Sequence, residues 1–170
     1  MVLGMSLSTF TMVHVVLSLV GILAGAVVVA GMLGSRTLPG WTGVFLATTI
    51  LTSVTGFMFP FTQIGPPHVV GAISLVLLAI ALVALYGRHL HGSWRWVYVG
   101  TAIASLYLNV FVGVVQAFQK ILFLNPLAPT QTEPPFIVTQ LAVLALFVVL
   151  AIAATLRFRP DDRYQQGGSG

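Results

Sequence analysis

The sequence predicts an all-α fold: an integral membrane bundle of five transmembrane helices, with the N-terminus outside and the C-terminus cytoplasmic. Three observations carry this reading. Only 6% of the 170 residues are charged while 58% are hydrophobic, against about 25% charged in a soluble domain. Several apolar runs exceed the roughly 18 residues that cross a bilayer. All nine Pro residues fall at or outside the limits of five such runs, where a missing N–H costs a helix least. The length leaves room for one bundle, residues 1–160, and the Gly- and Gln-rich residues 161–170 read as a flexible tail or linker.

The first helix is expected over 8–33. No basic residue precedes it and its apolar stretch is too long for a signal-peptide h-region, so it belongs to the mature chain. His14, Ser18, Gly21 and Gly25 form a narrow stripe on it. The second helix, 41–59, carries Thr48, Thr52 and Thr55 on one face, with Ser53 and Gly56 beside it. The third, 67–87, opens on His68 directly after Pro66 and Pro67.

The fourth helix, 96–119, is the most polar. Ser105, Asn109 and Gln116, with Lys120 just past its end, fall within roughly 60° of one another at about 100° per residue. Such a stripe is expected to face the bundle interior or a wet cavity. The fifth helix, 135–157, begins with Thr139 and Gln140 in its first turns and is preceded by Glu133. The linking segment 125–135 is stiffened by Pro126, Pro129, Pro134 and Pro135, which suits either a plain connector or a lid over the helix ends.

Orientation follows from the basic residues. Arg36, Arg88, Arg95, Arg157, Arg159 and Arg163 fall on one side of a five-pass topology and Lys120 alone on the other. The Arg side is therefore expected in the cytoplasm. Trp41, Trp94, Trp96 and Tyr98 lie at the same ends and read as half of an aromatic belt. The formal charge of +4 is scattered along the chain rather than clustered, which argues against nucleic acid as a partner. The lipid bilayer is the expected surrounding, with a homo-oligomer or a larger membrane complex as possible assemblies.

The polar groups converge on the outer half of the bundle. The expected pocket comprises Ser18, Thr52, Thr55, Asn109, Gln116, Lys120, Glu133 and Gln140, with His14 and His68 at a similar depth. Packing by small residues and interhelical hydrogen bonds is the simpler role for many of these groups. Neutral imidazoles also ligate haem iron or transition metals. His14 and His68 are thus candidate axial ligands of a haem b, with Gly21 and Gly25 leaving room for a flat macrocycle. His14, His68 and Glu133 are an alternative two-His, one-carboxylate metal set.

The absence of Cys excludes thiol chemistry and haem attached through C-x-x-C-H. No Asp lies in the membrane region and no Ser–His–carboxylate spacing points to a triad, so a hydrolase is disfavoured. Three functions are carried forward. The first and most concrete is a small b-type haem-binding or redox membrane protein. The second is a transporter or channel for a small solute or protons, acting as an oligomer. The third is an accessory subunit of a membrane complex.

The stretches YLNVFVGVVQAFQK (107–120) and LAPTQTEPPFIVTQ (127–140), with TSVTGF (52–57) and the His14 and His68 segments, resemble a group of small multipass proteins of the bacterial inner membrane. The resemblance implies that location and one type of bundle. It carries no activity, cofactor or substrate with it.

Overall fold

The computed structural model describes residues 4–60 and 66–160. Gln63, Arg163 and the tail lie outside them. The described chain is all-helical: α1 (Leu7–Leu33), α2 (Pro39–Gly56), α3 (Pro66–Leu82), α4 (Trp94–Lys120) and α5 (Pro134–Arg157). A π-helical turn, Val83–Gly87, prolongs α3, and a short 3-10 turn, Asn125–Leu127, interrupts the α4–α5 connection.

Local chemistry sets the helix ends. The Ser6 hydroxyl accepts the Thr9 amide at 3.1 Å and caps α1, which starts at Leu7, one residue before 8. Pro39 sits in the first turn of α2, so that helix begins before Trp41, and it ends three residues short of Phe59. Pro134 and Pro135 open α5 in the same way.

Four helices are long and apolar enough to cross a membrane: α1, α3 with its π turn, α4 and α5. The 18-residue α2 is not among them, because Thr42, Thr48, Thr49, Thr52, Ser53 and Thr55 dilute its apolar content. It nevertheless runs antiparallel along α1. Gly56 approaches His14, Thr48 and Thr49 approach Gly21, Phe45 approaches Gly25, and Leu38 approaches Gly31. Residue numbers fall on one helix as they rise on the other.

The first four helices pack around one axis, and α5 lies on the outside of α4 and α1. Only Gln140, Phe147 and Ala154 of α5 are buried. Their spacing of seven makes a single seam, flanked by the half-buried Val143, Leu150 and Ala151, and most of the remaining apolar surface faces outward, as lipid contact requires.

The bundle has two unlike ends. At the arginine end the interior is an apolar core of Val28, Met32, Phe45, Leu78, Ala81, Val99 and Ile103. Leu90 closes it: only 1% exposed, it holds a left-handed backbone (φ 58°) and its amide reaches the Ala84 carbonyl at 3.0 Å. A branched residue accepts this conformation only where packing compensates. Ser35 ties the α1–α2 turn to the end of the chain, donating to the Arg159 carbonyl and accepting its amide. Tyr98 is buried against Phe158, ring centroids 6.2 Å apart, so it belongs to the core rather than to the aromatic belt. Trp41 and Trp96 are exposed as that belt requires. The opposite, histidine end is polar inside.

Candidate functional site

At the histidine end the first four helices enclose a cavity of about 100 Å³. The walls come from His14 and Ser18 on α1, Thr49, Thr52, Ser53 and Gly56 on α2, Pro67, His68, Gly71 and Ser74 on α3, and Leu108, Asn109 and Val112 on α4. Phe57 and Val70 complete them. No Asp, Glu, Lys or Arg is among these residues.

Most of the hydroxyls on α2 are spoken for. Thr48, Thr52, Ser53 and Thr55 each donate to the carbonyl four residues earlier, at 2.7–3.0 Å. This local bond is the usual way to hide a hydroxyl in an apolar helix. Thr49 does not follow it. Its Oγ is buried, lies against Gly21 and has no hydrogen-bond partner among the described residues. A buried unsatisfied hydroxyl costs about 1–3 kcal/mol.

His14 is half-buried, and its Nδ1 lies 2.8 Å from the Thr55 hydroxyl. That hydroxyl has one hydrogen and gives it to Leu51 O at 2.7 Å. With that hydrogen on Leu51 O, His14 Nδ1–H is the donor to Thr55, and this tautomer leaves Nε2 with its lone pair in the neutral ring. Phe59 stands edge-on to the imidazole at 5.2 Å between centroids. His68 tilts over Phe57 at 5.8 Å. Across the cavity the Ser18 hydroxyl donates to Asn109 Oδ1 at 2.7 Å, and the Asn109 amide returns to the Ser18 carbonyl at 3.4 Å.

Of the residues singled out from sequence, the cavity brings together His14, Ser18, Thr52, His68 and Asn109, with Thr55 just behind His14. It leaves out four. Gln116 and Lys120 share a helix face with Asn109 but lie two and three turns further along α4, where both are exposed. The polar stripe of α4 therefore splits into a buried part, Ser105 and Asn109, and an exposed one. Gln140 points at α4, donating to the Phe111 carbonyl at 3.2 Å, and its buried Oε1 has no partner.

Glu133 precedes α5 without capping it and turns back instead. Its carboxylate takes the Thr130 hydroxyl at 2.8 Å and the Thr130 and Thr132 amides. Desolvation pushes this carboxyl up, but hydrogen bonds from the Thr130 side chain and the neighbouring backbone outweigh it and hold it below its usual range. The connection it belongs to is fastened to α4: Asn125 donates to the Phe118 and Gln119 carbonyls and Gln131 to that of Val115. Among the described residues none of it lines the cavity, so it is a pinned connector rather than a lid.

Two expectations about space change. Gly21 and Gly25 do not leave room for a macrocycle. A Cβ at Gly21 would stand 3.0–3.2 Å from Thr49, Thr48 and Asn109, and one at Gly25 would stand 2.6 Å from Leu106 and 2.9 Å from Phe45. These glycines admit α2 and α4 close to α1. Nor does a metal-holding group of three His, Cys, Asp or Glu side chains occur among the described residues. The His14, His68 and Glu133 set is thus not assembled.

Thr49, Ser74 and Gly71 were not anticipated. Thr49, Ser53 and Gly56 recur at i, i+4 and i+7, a second face of α2 adjoining the more obvious threonine face. That spacing was the available signal. Comparison of the chain with protein-family models, curated proteins and solved structures finds no match.

Proposed function

We propose that this chain is a five-pass protein of the bacterial inner membrane, with its histidine end outside, that binds a small neutral molecule in the cavity between His14, Thr49, His68 and Asn109. The observation that carries the binding reading is the Thr49 hydroxyl. It alone among the clustered hydroxyls at 48–55 of α2 is left unpartnered among the described residues, it is buried beside Gly21, and Thr49 lines the cavity. A guest that hydrogen-bonds there would remove the penalty of about 1–3 kcal/mol. The absence of Asp, Glu, Lys and Arg from the lining favours a neutral guest, since a charge inside a membrane needs a partner.

The arginines at the other end support the orientation. The fifth crossing is supported by the back-bonded hydroxyls of α2, which soften the cost of a polar helix in lipid. The closely packed apolar core beneath the cavity argues against a solute path through a single copy.

Native mass spectrometry of the protein released from membrane nanodiscs tests the binding reading. The expected result is a bound small-molecule mass that disappears in Thr49→Val. A protein that carries no adduct, or keeps it in full in that variant, would defeat the reading.

A second reading, haem b held by His14 and His68, rests on one observation: both imidazoles line the same cavity. A haem macrocycle is far too broad for a cavity of about 100 Å³. A macrocycle would require α2 and α3 to part, and the packed residues do not fit it as they stand. Reduced-minus-oxidised absorption spectra separate the readings. A Soret band lost in both His14→Ala and His68→Ala would favour haem.

A further inference from the structure

We infer that the guest of this cavity is a quinone head group. The inference rests on the ligand-binding reading above and names its chemical class. The cavity offers hydrogen-bond donors and an acceptor on different helices. On one side stand the unpartnered Thr49 hydroxyl and the Asn109 amide. That amide spends a single N–H on a long 3.4 Å bond to Ser18 and keeps a second. These call for a carbonyl oxygen. From α1, the His14 ring gives its Nδ1–H to Thr55 and keeps an acceptor at Nε2, which makes no hydrogen bond among the described residues. That calls for a hydroxyl, or for a carbonyl once the ring is protonated.

Between the polar groups the walls are apolar or aromatic: Phe57, Val70, Leu108 and Val112. A flat, uncharged ring with oxygens at opposite edges meets these groups in both redox states: its carbonyls accept from Thr49 and Asn109 when oxidised, and its hydroxyls accept there and donate to His14 Nε2 when reduced. Such a ring on an isoprenoid tail already resides in the bilayer, which matches a site within a bundle whose outer surface is lipid-facing. Small polar solutes such as alcohols or amides would satisfy Thr49 but would leave the apolar walls without contacts.

Titration of the detergent-purified full chain with decylubiquinone, followed by calorimetry, tests this. One saturable site is expected, with a Kd at least ten-fold weaker in Thr49→Val, an isosteric change that removes only the hydroxyl. Gln116→Leu, exposed and outside the cavity, should bind as the unaltered protein does. The reduced decylubiquinol should lose affinity in His14→Phe more than the quinone does. Folding of each variant is checked by circular dichroism, and Thr49→Val is the variant least able to disturb it.

Absent saturation, equal affinity in Thr49→Val, or equal binding of decanol would overturn the quinone assignment. The adduct experiment then decides which idea has failed. An adduct that still depends on Thr49 but is not displaced by decylubiquinone removes the quinone alone, whereas an adduct indifferent to Thr49 removes the site as well.

Discussion

Ser18 and Asn109 hold each other twice, hydroxyl to side-chain carbonyl at 2.7 Å and amide to backbone carbonyl at 3.4 Å. The pair fixes α1 to α4 at the floor of the cavity. Interhelical hydrogen bonds inside membranes average about 0.6 kcal/mol and reach about 1.7. A double-mutant cycle of Ser18→Ala and Asn109→Leu, read from reversible unfolding in bicelles, should give a coupling in that range. Additive effects would mean that the two residues do not act together.

Gly25→Ala should destabilise the bundle. The new methyl would stand 2.6 Å from Leu106 and 2.9 Å from Phe45, both almost wholly buried. Overpacking of this kind costs about 1–3 kcal/mol. Leu106→Val in the same chain should recover part of the loss, and a fully stable single variant would show that α1 can move away from α4 and α2 freely.

Thr49→Val and Thr52→Val should differ although both exchange a hydroxyl for a methyl. In the ligand-free protein Thr49→Val removes an unsatisfied group and should raise stability, by up to about 1–3 kcal/mol. Thr52→Val removes a hydroxyl already bonded to Thr48 O and should change little. Equal shifts in melting temperature would mean that the Thr49 hydroxyl has found a partner.

Replacing Gln116 with Leu should be nearly silent, and replacing Asn109 with Leu should not. Gln116 is exposed, whereas Asn109 is 8% exposed and lines the cavity. Stability and adduct retention measured on both variants check this. Loss of the adduct in Gln116→Leu would extend the site along α4.

The turn at 130–133 should loosen in acid. Its carboxylate is held below the ordinary range by hydrogen bonds made only when it is folded. A group with a lowered folded pKa lends stability above its unfolded value and loses it as pH falls through the folded one. Amide exchange at Thr130 and Thr132 should therefore quicken below that lowered value, relative to the intrinsic rate, and Glu133→Gln should remove the pH dependence.

Composition and periodicity determined the class of this protein. Apolar runs, proline positions and a near absence of charge specify helices suited to lipid whatever their arrangement, because each helix satisfies its own backbone. They also placed His14, Ser18, Thr52, His68 and Asn109 at one end, since a residue's depth in a spanning helix is simply its position along it.

Which of those residues meet was decided by packing. Thr48 and Thr49 differ by only about 100° on one helix, yet Thr48 returns to its own backbone while Thr49 has no partner. Gln116 shares a face with Asn109 and still stands outside, because a helical wheel records angle and not where the neighbouring helices make their closest approach. Gly21 and Gly25 looked like space and proved to be contact. Whether a small residue marks a void or a crossing depends on what the opposite helix puts there, and a single chain's local sequence does not contain that distance.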